Sequence, residues 1–133
     1  MATQHRSRTQ YKNERNAEKR ETRPHAKLSY ARIPVQKACI VMDAIRGKDL
    51  NSALAMLEYS PKYASGVIRK LLASAAANAE FQGLNRDNLF VAECFASNGP
   101  VMKRIQPRAR GSAYRINKRM SHLTVILDEK GGR

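Results

Sequence analysis

The sequence predicts an α+β fold: three helices packed on a small antiparallel three-stranded sheet, with two of the strands running on into a long protruding β-hairpin. Three observations predict it. Between positions 34 and 83 the apolar residues recur at helical spacing, in three groups divided by Gly47 and by Ser60 with Pro61. Residues 89–96 and 123–127 instead have strand composition, alternating between two faces. Between those strands, the 34 residues 94–127 contain no Asp or Glu, although 11 acids among 133 residues would place about three there. That window holds seven cations, Lys103, Arg104, Arg108, Arg110, Arg115, Lys118 and Arg119, and two prolines.

In the first helix Pro34 suits the first helical position, where a missing N–H costs nothing. Val35, Ala38, Cys39, Met42 and Ile45 form its apolar face up to a stop at Gly47. Asp49 is placed to cap a second, short helix with the face Leu50, Ala53, Leu54 and Leu57. Ser60 and Pro61 open the third and central helix, whose stripe of Ala64, Val67, Ile68, Leu71, Ala75 and Ala79 ends before Gly83. Its alanine cluster, 73–79, lets another element approach closely. In the strand at 89–96, Leu89, Val91, Glu93 and Phe95 share one face and Phe90, Ala92, Cys94 and Ala96 the other. Leu123, Val125 and Leu127 alternate with Thr124 and Ile126, and residues 28–32 supply a third short strand. Helices on one face of such a sheet bury all of these stripes at once.

Residues 99–121 cannot join that core. Val101, Met102, Ile105, Ala109, Ala113, Tyr114, Ile116 and Met120 are too sparse and too interleaved with charge to make a buried face. Pro100 and Pro107 lack backbone donors and are barred from a central strand. A two-stranded ribbon that reverses near Gly111 satisfies the pattern. About 14 residues per arm, at roughly 3.3 Å each, gives a projection of about 45 Å. Such a ribbon is marginal in water and its like charges add repulsion, so an external polyanion is expected to hold it. The chain thus divides into a basic arm, 1–25, expected to be disordered when free; one domain, 26–128, that includes the hairpin 97–121; and a tail, 129–133.

Charge narrows the partners. Lys and Arg total 25 against 11 acids, a net +14 with a pI near 10.4, and a compact fold with that imbalance repels itself unless a polyanion neutralises it. Nucleic acid is the first candidate and anionic membrane the second. No apolar run reaches the ~18 residues of a spanning helix, and none follows the basic residues at the amino terminus as a secretory signal requires. Glu14, Glu18 and Glu21 interrupt a segment that mitochondrial transit peptides keep nearly free of acids. The expectation is a soluble, intracellular protein without a membrane partner.

Catalytic patterns are missing. His5, His25 and His122 have no carboxylate or Cys at an interpretable spacing, and Glu58, Glu80 and Glu93 are scattered over expected surface faces. No Gly-rich run before a helix offers a phosphate cradle. Cys39 and Cys94 read as reduced, buried, small apolar residues, and no cofactor, metal or homo-oligomer is expected. The chemistry of the ribbon is recognition. Arg pairs bidentately with phosphate and stacks on exposed bases, and five Arg with two Lys favour structured RNA. Gly111, flanked by Ala109, Ser112 and Ala113, makes a slim tip; Tyr114 can stack on a base or pack on its cross-strand neighbour.

The run GPVMKRIQPRARGSA at 99–113, followed by SHLTVIL at 121–127, resembles the family of the twenty-second protein of the bacterial large ribosomal subunit. Ala31-Arg32, Ile45-Arg46-Gly47-Lys48 and Ala77-Asn78-Ala79-Glu80 fall in the order of that family, and the match covers residues 26–128. The resemblance implies a globular part on the outer face of the large subunit, near the polypeptide exit. It implies a hairpin that follows large-subunit (23S-type) rRNA inward to line the nascent-chain tunnel, and a role in early subunit assembly. The partners implied are that rRNA, neighbouring large-subunit proteins, the nascent polypeptide and, near the hairpin tip, macrolide antibiotics. The place implied is the cytoplasmic ribosome rather than an organellar one. The residues expected on rRNA are the seven hairpin cations with Arg32, Lys37, Arg46 and Lys48; Met102, Lys103, Arg110, Gly111 and Ser112 are expected at the tunnel-lining tip. The chain departs from the family pattern at Cys39 and Ser112, where basic residues are frequent. A free basic nucleic-acid chaperone or DNA-binding protein is the competing reading. Both bind with strong salt sensitivity, so preference for large-subunit rRNA over duplex DNA separates them.

Overall fold

Three amphipathic helices lie on one face of a three-stranded antiparallel sheet in the computed structural model, which describes residues 8–9, 12–13 and 21–130. The chain order is β1 (His25–Ala31), α1 (Val35–Ile45), α2 (Leu50–Tyr59), α3 (Tyr63–Phe81), β2 (Leu89–Pro107) and β3 (Ala113–Glu129), with 3-10 turns at Arg86–Asn88 and Ala109–Gly111. The expected disorder of the arm concerns positions that, up to residue 20 and four positions apart, lie outside the described residues, as does the end of the tail. Residues 21–25 are laid along the sheet. Arg23 bridges Glu21 and Glu93 at 2.8 Å each, and the Leu127 N–H donates to the Pro24 carbonyl at 2.8 Å.

The strands lie in the order β1-β3-β2, so β3 is central and β2 is an edge. That order is why β2 can carry two prolines. Its first part is not left open: the Gly47 N–H donates to the Val91 carbonyl at 2.8 Å and the Val91 N–H to the Lys48 carbonyl at 2.9 Å. The α1–α2 turn thereby covers the edge that would otherwise invite another strand. The core lies between helices and sheet, with Met42, Ile45, Leu50, Ile68, Leu72, Leu89, Val91, Leu123, Val125 and Leu127 all essentially inaccessible to solvent. Burial of each Leu or Ile stabilises the fold by about 1.5–3 kcal/mol before entropy is counted. Asn78 Nδ2 donates to the His25 carbonyl at 2.9 Å and ties α3 to the start of β1.

Several local expectations shift. Pro34 is the N-cap of α1 rather than its first residue; its carbonyl accepts from the N–H groups of Lys37 and Ala38 at 3.0 and 3.1 Å. Cys39 is half-buried, and Val41 takes its place in the core beside Ala38, Met42 and Ile45. The reason is angular: at about 100° per residue Cys39 falls at the edge of the stripe that these four centre on. Asp49 occupies the N-cap of α2, but its carboxylate pairs with Lys130 instead of capping. Ser60 ends α2 and accepts from Ser65 Oγ at 2.8 Å, so α3 begins only at Tyr63. The third strand is β1, which starts earlier than expected and leaves Arg32 outside it.

The largest shift is in β2. Val91 pairs with Leu127 and Glu93 with Ile126, which leaves Ala92 as an extra residue. This β-bulge reverses the alternation: Leu89, Val91 and then Cys94 point to the core, while Glu93 and Phe95 point out. Strict alternation would have buried the Glu93 carboxylate.

Candidate nucleic-acid interface

The ribbon leaves the domain at Ser121. There β1 and β2 each carry an irregularity opposite β3, between Leu28 and Ala31 on one side and between Asn98 and Val101 on the other; Ser121 pairs with Ala31 and with Asn98. It is fully buried, and its hydroxyl has no partner among the described residues. A Cβ on Gly99 would lie 3.2 Å from the Met120 carbonyl carbon and oxygen, a tight contact that would push the Met120 backbone away by a few tenths of an ångström, so glycine suits this close approach of the two strands. Pro100 sits within the irregular step, where no ladder donor is needed. Tyr30 adopts a left-handed backbone (φ 59°) that sends its N–H to His122 Nδ1 at 3.0 Å, with the two rings edge-on at 4.8 Å. His122 is therefore a structural acceptor at the root.

Beyond the root, β2 and β3 run on alone. Seven consecutive pairs join them, from Val101 opposite Arg119 to Pro107 opposite Ala113. Every cation in this ladder faces a neutral or apolar partner: Arg119 faces Val101, Lys118 Met102, Lys103 Asn117, Arg104 Ile116, and Arg115 Ile105. No two cations stand directly opposite, where repulsion would be strongest, so the like-charge repulsion acts between diagonal neighbours such as Lys103 with Arg115 and Arg119. Because successive residues alternate, Lys103, Arg115 and Arg119 lie on one face and Arg104 and Lys118 on the other. Both faces are cationic, and all seven cations are exposed.

The reversal occupies residues 108–112. The Arg108 N–H donates to the Ser112 carbonyl at 2.8 Å and Ser112 Oγ to the Ala109 carbonyl at 2.9 Å. Arg110 and Gly111 are both left-handed, at φ 58° and 71°; the second suits glycine, and the first strains an arginine. From Ser97 to Pro107 the arm has 11 residues, about 36 Å at 3.3 Å each, shorter than expected because the turn consumes five residues. Arg110, Gly111 and Ser112 are at the tip. Met102 and Lys103 are not: they pair with Lys118 and Asn117 near the root, on opposite faces, because the strands stay in register down to Pro107. Tyr114 packs within the ribbon, its ring centroid 5.3 Å from the Arg108 guanidinium carbon.

The other four expected residues divide in two. Arg32 and Lys37 lie at the start of α1, just after the Ala31 that pairs with Ser121, and they line an open cleft of about 480 Å³. Arg46 and Lys48 lie past the other end of α1, about 16 Å away along an 11-residue helix. Arg46 is engaged within the protein: one guanidinium nitrogen meets Asp43 at 2.9 Å and the other donates to the Cys94 carbonyl at 2.8 Å. Lys62 and Tyr63, which the sequence reading passed over, line the same cleft as Arg32 and Lys37. Their signal was present, a Lys-Tyr step immediately after the Ser60 and Pro61 break, but nothing in the sequence relates it to Arg32.

Charge pairing engages part of the domain and none of the ribbon. Arg23, Arg46, Arg69, Arg86 and Lys130 each contact a carboxylate within the fold, whereas among the described residues none of the seven ribbon cations does. The hydrogen bonds from Arg23 hold the Glu21 carboxyl down to about 2. Burial pushes the Cys94 thiol up, against the opposing pull of Arg46, and the thiol donates to the Met42 carbonyl at 3.2 Å. Among the described residues no group of three His, Cys, Asp or Glu converges as metal ligands, and no helix is long and apolar enough to cross a membrane.

Comparison with known proteins agrees with this geometry. The family described as Ribosomal protein L22p/L17e matches residues 26–128. The chain is 61% identical over 134 residues to the large ribosomal subunit protein uL22 of Agathobacter rectalis, covering 98% of this chain and all of the relative. It is 63% identical over 131 residues to that of Lachnospira eligens, again with 98% of this chain and all of the relative. A third, from Acetivibrio thermocellus, is 58% identical over 104 residues, 77% of this chain and 83% of the relative. With its family match spanning all but the end residues of the sheet, the helices and the ribbon, the chain belongs to the Ribosomal protein L22p/L17e family.

Proposed function

We propose that this chain is a structural, non-catalytic constituent of the large ribosomal subunit, acting in the cytoplasm as part of the ribosome. In this reading the ribbon is its rRNA anchor. The observation that carries the proposal is the ladder in which every cation is exposed, unpaired by acid and distributed over both faces of a slim, two-stranded arm. A basic patch on one surface suits a single polyanion lying across it. A ribbon charged on both faces suits insertion between RNA segments, where phosphate on either side neutralises it. The relatives named as large-subunit proteins support the same assembly.

Within that setting, Lys103, Arg115 and Arg119 contact one wall of rRNA and Arg104 and Lys118 the other. Arg108 and Arg110 meet RNA near the reversal, and Arg32 and Lys37 extend the contact at the root. Lys48 supplies a separate contact at the far end of α1, and Arg46 a weaker one, since Asp43 already shares its charge. Arg110, Gly111 and Ser112 then lie deepest, bordering the nascent-chain tunnel, with Met102 and Lys103 further back along its wall. Changes at these positions alter the response to macrolides. Because the free ribbon lacks a core, its docking belongs to early subunit assembly, when the rRNA that sheathes it is still accessible.

The test is replacement of Lys103, Arg104, Arg108 and Arg110 by Glu, followed by sedimentation of cell lysates. Loss of the variant from large subunits, while the purified protein keeps its helical circular dichroism, is the expected outcome. Normal incorporation would remove the ribbon as an anchor. Equal competition by duplex DNA and large-subunit rRNA for the unaltered protein would favour the free nucleic-acid chaperone instead.

A further inference from the structure

The cleft between the start of α1 and the start of α3 has a composition that the ribbon does not explain. Three cations, Arg32, Lys37 and Lys62, surround it; Ile40 and Tyr63 present apolar surface at its rim, 58% and 78% exposed. No acid lines it. Large apolar side chains this open, beside cations without an acid partner among the described residues, gain no burial free energy from the fold itself. The chain places them together at a cost, because α1 and α3 begin here without a side-chain cap and without an acid in their first turns. Lys37 lies in the first turn of α1 and Lys62 at the N-cap of α3, where the helix dipole disfavours positive charge. Among the described residues no acid stands at this corner to neutralise it, which leaves it open to an anion.

The occupant must combine negative charge with a flat apolar body. We infer that the cleft holds one unpaired RNA nucleotide, its base stacked on Tyr63 beside Ile40 and its flanking phosphates on Arg32, Lys37 and Lys62. A volume of about 480 Å³ lies within the range of about 300–1,000 Å³ usual for sites that enclose a small ligand. Single strands are recognised in this way, by aromatic stacking within a positive groove, whereas a paired base has no free face to offer. Position supports the assignment: Arg32 follows the Ala31 that pairs with Ser121, so the cleft opens beside the ribbon root. An RNA strand gripping the ribbon continues into it. The inference rests on the RNA-binding reading of the ribbon for its setting, but makes a separate claim, selectivity for an unpaired base.

The full-length protein is titrated with a labelled single-stranded RNA heptamer and with an RNA duplex of equal length, as unaltered chain, as Tyr63→Ala, as Tyr63→Phe and as Lys37→Glu/Lys62→Glu. Tyr63 is exposed, so its replacement leaves the fold intact, which circular dichroism verifies. Tyr63→Ala is expected to weaken the heptamer about 5- to 150-fold, the range that one base stack supplies, and to leave duplex affinity unchanged. Tyr63→Phe restores heptamer binding, and the double charge reversal weakens it further. Equal heptamer affinity for Tyr63→Ala and the unaltered chain, or an equal loss on heptamer and duplex, would overturn the inference. So would Tyr63-dependent binding of a poly-glutamate peptide that excludes the heptamer, since the cleft would then be a protein-docking site. The ribbon charge-reversal variant separates the two readings: normal incorporation of that variant defeats the ribosomal anchor and leaves the Tyr63 result standing, and the reverse pattern defeats only the cleft.

Discussion

The same two strands build two unlike regions. From Leu89 to Cys94 and from Leu123 to Leu127 they carry a core; from Val101 to Pro107 and from Ala113 to Arg119 they carry none, yet the pairing continues past Ser121. In the first region stability comes from apolar burial under three helices. In the second, only ladder bonds and cross-strand contacts remain, which are marginal in water for two strands. Their charge follows the same division in part, since Arg46, Arg69, Arg86 and Lys130 of the domain are matched by domain acids, whereas the ribbon cations, like Arg32, Lys37 and Lys62 at the cleft, are left for a partner. A protein can thus export two strands from its own sheet, provided the exported part is never asked to hold itself together.

The sharpest way to break the comparison is a matched pair of truncations. Leu72→Ala, at a fully buried site, is expected to cost about 2–5 kcal/mol in urea unfolding, while Ile105→Ala, 76% exposed, changes stability by no more than about 0.5 kcal/mol. A large loss at Ile105 would mean that the ribbon packs on something in the free protein. Next comes the boundary. Gly99→Ala drives a methyl group against the Met120 backbone and is expected to cost about 1–3 kcal/mol, with amide exchange accelerated at the root before the helices. Unchanged exchange at Met120 would show that the close approach is not maintained in solution.

At the tip the expected effect is smaller and of opposite sign. Arg110→Gly relieves a left-handed arginine by about 1 kcal/mol and should sharpen the NMR signals of residues 108–112, while weakening RNA binding through the lost charge. Smallest is a pH effect at the start of β1. The Glu21 carboxyl is lowered to about 2 by Arg23, so the stabilisation is fully present above its ordinary value near 4.5 and is lost as pH falls toward 2. Glu21→Gln should therefore lower the urea midpoint slightly at pH 6 and by less near pH 2, where half of the native carboxyl is protonated. An equal effect at both values would assign the loss to something other than the ion pair.

The helices were legible because their stripes are local: Ala38, Met42 and Ile45, or Ile68, Leu71 and Ala75, name their buried face by spacing alone. The ribbon was legible from the opposite signal, a long acid-free stretch too polar for a core. Faces within β2 were not, because Ala92 reads as an ordinary alternating residue until its partner strand shows a register that skips it. The site was half legible. The seven cations stand out as a run, but Lys62 and Tyr63 join Arg32 and Lys37 only through the packing of α3 against α1, about 30 positions apart in sequence.

What the chain's residues determined unaided was the α+β class, the three helices, the acid-free ribbon and its turn near Gly111. Those follow from hydrophobic spacing, from charge, and from the backbone freedom of single residues, all of which act over a few positions. Tertiary structure decided the bulge at Ala92, the root at Ser121, the neutral partner facing each of the five ladder cations and the cleft beside Tyr63. Each of these depends on which residue of a distant strand or helix stands opposite, and register is settled only when whole faces are buried together.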